Sequence, residues 1–209
     1  MAEIKLFSGM DFSGKSTTIE SIDKVMPGVF NRQQKFLTPI QTLQRMIDNN
    51  IWVPRDEFIP LLQKMVRDDL KDYKDNGPIL QDTLWIIKFT SKLLVDGGKD
   101  YMKEIKELMK MIECYPDMDS FYITTSMDER KKRYEKRIQE GGRISRSDRL
   151  LFSRNMFEEV EKRYQEIVCT RFPNTRIIDT TCRTTEQIVG DLIQDDCFMS
   201  SLKGGASTL

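Results

Sequence analysis

The sequence predicts an α/β protein with one parallel sheet of about five strands, covered on both faces by helices. Short apolar runs alternate with longer amphipathic ones along most of the chain, the pattern of strands joined by crossover helices. A glycine-rich loop separates the first apolar run from the first amphipathic segment. No repeat and no linker-like stretch divides the 209 residues, so one domain is expected over 1–199.

The elements follow in order. Ile4–Phe7 is the first strand, and Lys15–Met26 the first helix, with Ile19, Ile22, Val25 and Met26 at helical spacing. Gly28-Val29-Phe30 is expected to open a second strand. Thr38–Asn49 and Pro54–Tyr73 follow as helices; the second opens on Pro-Arg-Asp-Glu and places Phe58, Leu61, Leu62, Met65, Val66 and Leu70 on one face. Asn76-Gly77-Pro78 ends it, and Ile79-Leu80 with its flanks makes a short third strand. Leu84–Val95 is apolar enough to be a core helix, closed by Asp96-Gly97-Gly98. Asp100–Cys114 is a helix and Ser120–Thr124 a strand of mostly bulky residues. Asp128–Gln139 and Leu150–Thr170 are helices separated by Gly141-Gly142. Arg176–Asp179 is the last strand, Thr185–Asp195 the last helix, and the Ser- and Gly-rich tail 200–209 is expected to be disordered.

Composition excludes several chemistries. The chain has no histidine, which removes His-based acid/base catalysis, Ser-His-Asp triads and His metal sites. Its four cysteines, at 114, 169, 182 and 197, contain no Cys-x-x-Cys pair and imply neither a zinc site nor a disulfide framework. Lys plus Arg balance Asp plus Glu at 33 each, so no global field draws the protein to nucleic acid or anionic lipid. No apolar run approaches a bilayer span, and Met-Ala-Glu-Ile-Lys does not open a signal peptide. A cytoplasmic protein without a membrane partner is the expectation.

The loop carries the chemistry. Gly9-Met10-Asp11-Phe12-Ser13-Gly14-Lys15-Ser16 satisfies G-x-x-x-x-G-K-[ST] between a strand and a helix. Gly9 and Gly14 let the backbone curl so that successive N–H groups, with Ser13 and Thr17 nearby, converge on phosphate oxygens at the positive end of the helix. Lys15 would reach the β and γ phosphates, and the Ser16 hydroxyl would ligate Mg2+. ATP and Mg2+ are therefore the expected cofactors of a three-layer P-loop NTPase fold. Neither an Asp-x-x-Gly switch nor an Asn-Lys-x-Asp motif is present, which argues against a GTPase.

A small kinase fits better, because it needs a basic lid. Residues 130 to 154 hold ten Lys or Arg and three acids, and "RIQEGGRISRSDR" spreads Arg137, Arg143, Arg146 and Arg149 around a glycine pair. A lid over about 137–150 could close these arginines onto the triphosphate and neutralise transition-state charge; the bland alternative is a solvated helix face and a polar turn. Asp82, at the end of the third strand, could hold a magnesium-bound water or take the acceptor's proton, and could equally cap the helix that follows.

Over most of its length the chain resembles the thymidylate kinase family. The resemblance lies in "FSGMDFSGKSTT", in "DSFYITTSMDERKKRYEKR", in "SDRLLFSRNMFEEVEKRYQEI" with Asp148-Arg149 and Tyr164, and in "TRIIDTT". It implies that Asp11 faces the acceptor at a sugar hydroxyl, that Arg67 contacts the acceptor, and that adenine lies near Cys182 and Arg183. Dimers are common in such kinases, which by analogy makes Leu84–Val95 a candidate packing helix.

The acceptor half departs from the family. Asp82-Thr83 stands where the family has Asp-Arg, Gln63 where it has an aromatic residue, and Arg32-Gln33-Gln34 where it has Arg-Glu-Pro. Phosphoryl transfer from ATP to a nucleotide or nucleoside is the leading expectation, most specifically to a (deoxy)nucleoside monophosphate, with Arg32, Arg45 or Arg67 replacing the lost clamp. The alternatives are another acceptor, including a modified base in DNA, which the zero net charge disfavours, or a nucleotide-binding regulator without turnover.

Overall fold

The first strand, β1 (Ile4–Ser8), lies at the centre of a parallel sheet ordered β2-β3-β1-β4-β5. Its neighbours are β3 (Ile79–Asp82) and β4 (Asp119–Thr124), and β5 (Arg176–Asp179) pairs outside β4. These four full strands are joined by a two-residue edge strand, β2 (Asn31–Arg32), beside β3. The computed structural model describes residues 3–32, 55–75, 77–96, 101–142, 144, 146–153, 155–195 and 198–199. The helix expected over 38–49 and the tail 200–209 lie outside them.

Helices cover both faces: α1 (Lys15–Val25), α2 (Arg55–Asp75), α3 (Trp85–Asp96), α4 (Met102–Ile112), α5 (Met127–Gln139), α6 (Arg146–Ser153), α7 (Phe157–Arg171) and α8 (Thr185–Gln194). The two-residue period of the strands divides the core accordingly. Ile4, Leu6, Ile79 and Tyr122 pack with α2, α3, α4 and α7, while Phe7, Leu80, Phe121 and Ile123 pack with α1, α8 and Phe198. Every β1 residue is buried, as a central parallel strand requires. Lys5 is its one charged residue, and its fully buried Nζ is held 2.6 Å from Asp119 and 3.0 Å from Glu3.

α3 packs along α7, burying Ile86, Ile87, Phe89, Thr90 and Ser91, so the expected core helix is found. That packing occupies much of α3 inside the chain, and nothing among the described residues supports its use as a dimer face. A polar network ties the base of α2 to the sheet: Tyr115 donates to Asp69 at 2.6 Å, Tyr73 to Gln81 at 2.9 Å, and Gln81 Nε2 to the Thr83 carbonyl at 3.1 Å.

Local chemistry moves some expected boundaries. The second strand starts at Asn31 rather than Gly28, because Gly28 (φ 75°) forms a turn in which Val29 N–H bonds back to Met26 O at 3.3 Å. Leu150–Thr170 is not one helix: Asn155 adopts φ 52°, and Met156 N–H reaches Leu151 O at 3.2 Å, so α6 and α7 are separate. Asparagine tolerates this left-handed conformation. The third strand runs on through Asp82. No helix among the described residues is long and apolar enough to cross a membrane.

Replacing Tyr115 with Phe removes one donor from buried Asp69 and should lower the unfolding free energy by about 1–3 kcal/mol. Urea denaturation with an unchanged m-value checks it.

Candidate functional site

The chain leaves β1 through Gly9 at φ 144°, where an added Cβ would lie 2.3 Å from the Ile123 carbonyl oxygen. Only glycine lets the loop turn this close to β4. The loop re-enters helix at Gly14 (φ 94°), the N-cap of α1. Between them the carbonyls are held from outside. Arg130 Nη1 donates to Asp11 O at 2.7 Å, Arg133 Nη1 to Phe12 O at 3.3 Å, and Thr180 Oγ1 to Ser13 O at 2.8 Å. These bonds fix the loop backbone at the N-terminus of α1, a setting suited to an anion, while the Ser13 N–H turns back to Met10 O at 3.4 Å.

The bracing residues are themselves fixed. Arg130 is fully buried, bonded to Glu161 at 2.6 Å and stacked 4.6 Å from the Phe157 ring. Burial pushes the Glu161 carboxyl above its ordinary range, and Arg130 opposes this. Arg133 also bonds Glu129 at 3.0 Å, Thr180 Oγ1 at 3.1 Å and Thr180 O at 3.2 Å. Phe12 (φ 63°) at the crest is covered by Tyr134 and Phe152, with ring centroids 5.4 and 5.9 Å away.

Inside the loop, Lys15 Nζ donates to Asp82 Oδ1 at 2.5 Å, and Ser16 Oγ lies 3.5 Å from Asp82 Oδ2. Asp82 is buried at the end of β3. It is followed by Thr83 at φ 69°, a strained conformation for a β-branched residue. Thr83 is held by its N–H on Phe7 O at 2.9 Å and by the Gln81 amide on its carbonyl. A hydroxyl beside one carboxylate is the sparse hard-oxygen set that Mg2+ uses together with phosphate and water, so Ser16 and Asp82 fit that ion.

A second charged group lies on the other side of the loop. Lys88 Nζ donates to Asp11 Oδ2 at 2.6 Å and lies 5.1 Å from the Trp85 ring centroid. Burial alone would raise the Asp11 carboxyl, but Lys88 and Lys92 outweigh it and hold Asp11 well below the usual carboxylate range. Burial also pushes the Tyr164 phenol, near Ser8, Thr83 and Gly9, up to about 12.

No family model and no curated protein matches this sequence. Solved structures do match its fold. Thymidylate kinase from Candida albicans aligns at a TM-score of 0.69 and 19 % identity, over 97 % of this chain and 92 % of that one. Deoxyadenosine kinase from M. mycoides with bound dATP aligns at 0.64 and 18 %, over 91 % and 97 %. Thymidylate kinase from Ehrlichia chaffeensis aligns at 0.56 and 14 %, over 92 % and 97 %. The chain has the thymidylate kinase-like P-loop fold.

In this thymidylate kinase-like fold, Gly9, Asp11, Ser13, Gly14, Lys15, Ser16 and Asp82 lie together around the loop. Thr17 is exposed on the first turn of α1. The expected lid residues are less gathered. Arg137 stacks 4.9 Å from the Phe12 ring, and Arg149 is exposed and donates to Ile144 O at 3.3 Å. Arg143 and the side chain of Arg146 lie outside the described residues. Gln63 and Arg67 are exposed, one turn apart on α2, and the side chain of Arg32 lies outside the described residues. Arg183 pairs with Asp191 and lines a cavity of about 420 Å³ between β5 and α8, with Thr181 and Ile188. Asp82 gives its carboxylate to Lys15, Ser16 and Thr83.

Sequence reasoning missed Arg130, Arg133, Thr180, Phe12 and Lys88. The signal for the two arginines was their three-residue spacing at the start of the basic run, which puts both on one side of α5. Lys88 had a weaker one, as one of two lysines in a largely apolar helix.

Exchanging Arg133 for Met, at a position about a quarter exposed, should leave the protein folded and raise the Kd for Mg-ADP about tenfold. Calorimetric titration checks this; an unchanged Kd would mean that Arg130 and Thr180 hold the loop unaided.

Proposed function

We propose that the protein is an ATP-dependent kinase that phosphorylates a nucleotide or nucleoside, with a (deoxy)nucleoside monophosphate as the favoured acceptor. The observation that carries this reading is the braced loop with Lys15, Ser16 and Asp82 gathered at the N-terminus of α1. The similarity in fold to thymidylate kinase and deoxyadenosine kinase supports it from outside the chain.

In this reading the loop N–H groups cradle the phosphates of ATP. Lys15 exchanges its bond to Asp82 for one to the transferred phosphoryl group, where its charge counts most as negative charge spreads. Ser16 and Asp82 hold Mg2+, which when bound supplies further neutralisation of the phosphates. Arg137, Arg143, Arg146 and Arg149 close over them, Arg183 serves the adenine side, and Arg32, Gln63 and Arg67 receive the acceptor beside Asp11. Catalysis is then alignment and fixed charge, with little covalent work for the protein.

A nucleoside acceptor is the second reading. Thr83 stands where an arginine would grip an acceptor phosphate, and a deoxynucleoside kinase shares the fold.

The purified protein should release ADP from Mg-ATP with at least one member of a panel of nucleosides, deoxynucleosides and their monophosphates. Lys15→Ala should reduce that rate about a hundredfold or more, and EDTA should abolish it. Tight ATP binding with no turnover on any acceptor would overturn the reading in favour of a binding role.

A further inference from the structure

Asp11 is the only acidic residue between Gly9 and Ser16, and it is held from behind by a lysine. Lys88 stands in the first turns of α3, just after Asp82 and Thr83, and reaches across to the loop to bond Asp11 Oδ2 at 2.6 Å. The exposures of the two partners differ in a way that assigns their roles. The Lys88 side chain is 7 % exposed and Asp11 32 %, so the carboxylate, not the ammonium, meets whatever enters the site.

Two further elements face this pair. From α6, buried Asp148 acts on Lys88 and Asp11 through its charge. From α7, the Tyr164 phenol faces Lys88, while Lys92 adds a second cation from α3. Arg130, from α5, fixes the Asp11 main-chain oxygen. Two adjacent carboxylates do not both remain ionised in a buried setting without a cation between or beside them. Without Lys88, a proton would settle on the Asp11–Asp148 pair, and Asp11 would no longer be a dependable acceptor of hydrogen bonds.

We propose that Lys88 is a positioning residue of the acceptor half: bonded to Asp11 and backed by Asp148, it holds the Asp11 carboxylate anionic and turned outward to accept a hydrogen bond from a hydroxyl of the substrate. The role of Lys88 is thus indirect, and it does not grip a phosphate in place of the missing arginine. The inference rests on the kinase reading, in which Asp11 faces the acceptor.

The test compares Lys88→Met, Lys88→Arg and Asp11→Asn on the best acceptor of the panel and on its analogues lacking one sugar hydroxyl. Carbon-13 NMR of the Asp carboxyls, with Asp11 assigned by its loss in Asp11→Asn, follows ionisation without turnover. Lys88→Met should lower kcat/KM about thirtyfold, match Asp11→Asn, and add little to it in the double variant. Lys88→Arg should retain activity within about threefold, because it keeps the charge.

With the analogue lacking the relevant hydroxyl, the loss in Lys88→Met should disappear. Its Asp11 resonance should titrate at higher pH than in the wild type, and its kcat/KM should fall as pH drops through that new value. A loss that persists on every analogue, or an Asp11 titration unmoved by Lys88→Met, overturns the proposal while leaving the kinase reading intact. If the wild type phosphorylates nothing, the kinase reading fails instead, and the hydroxyl-binding role falls with it.

Discussion

Asp11, Phe12 and Ser13 each have a carbonyl oxygen bonded by a side chain from elsewhere in the fold. Because a peptide is planar, fixing the direction of its C=O fixes the opposite direction of the N–H beyond it. The concave face of the loop is therefore set before any ligand arrives, and little conformational entropy is left to lose on binding. The rest of the structure serves this constraint. β1 is central so that its end is rigid, β4 presses on Gly9, and α5 lies where Arg130 and Arg133 meet the loop carbonyls from outside.

The charges are arranged in pairs for the same reason. Lys15 with Asp82, Lys88 with Asp11, Arg130 with Glu161 and Lys5 with Asp119 each place a mostly or wholly buried cation on a carboxylate. Such pairs add little net stability over apolar packing of equal volume, but losing one partner leaves a buried charge exposed to the full cost of desolvation. Their value is in holding side chains at single positions. Lys15 differs from the others in standing in the first turn of α1; in the proposed function an incoming phosphate replaces its partner.

The strand-loop-helix at the N-terminus was legible because its signal is local: four fixed residues at set spacing, between an apolar run and an amphipathic one. The central burial of Leu84–Val95 was legible for a similar reason, since apolarity on all sides leaves a helix nowhere else to go. What the sequence hid depends on contacts between distant positions. Nothing near Arg130 or Arg133 marks them as partners of carbonyls some 120 residues earlier, and a basic run reads equally as lid, brace or solvated surface. The break at Asn155 was hidden differently, because apolar residues continue on both sides of it.

The sheet ends in short strands: two residues of β2 on one side and four of β5 on the other. On β5, Ile177 is 54 % exposed, yet Arg176 is tied to Asp195 beside it and Arg183 to Asp191 just beyond. An edge strand is a template on which another chain can add by main-chain bonding, and its hazard grows with its length and flatness. Here a foreign strand would find only a few rungs, flanked by charged side chains already committed to α8. Among the described residues, the fold limits aggregation by keeping its outer strands brief.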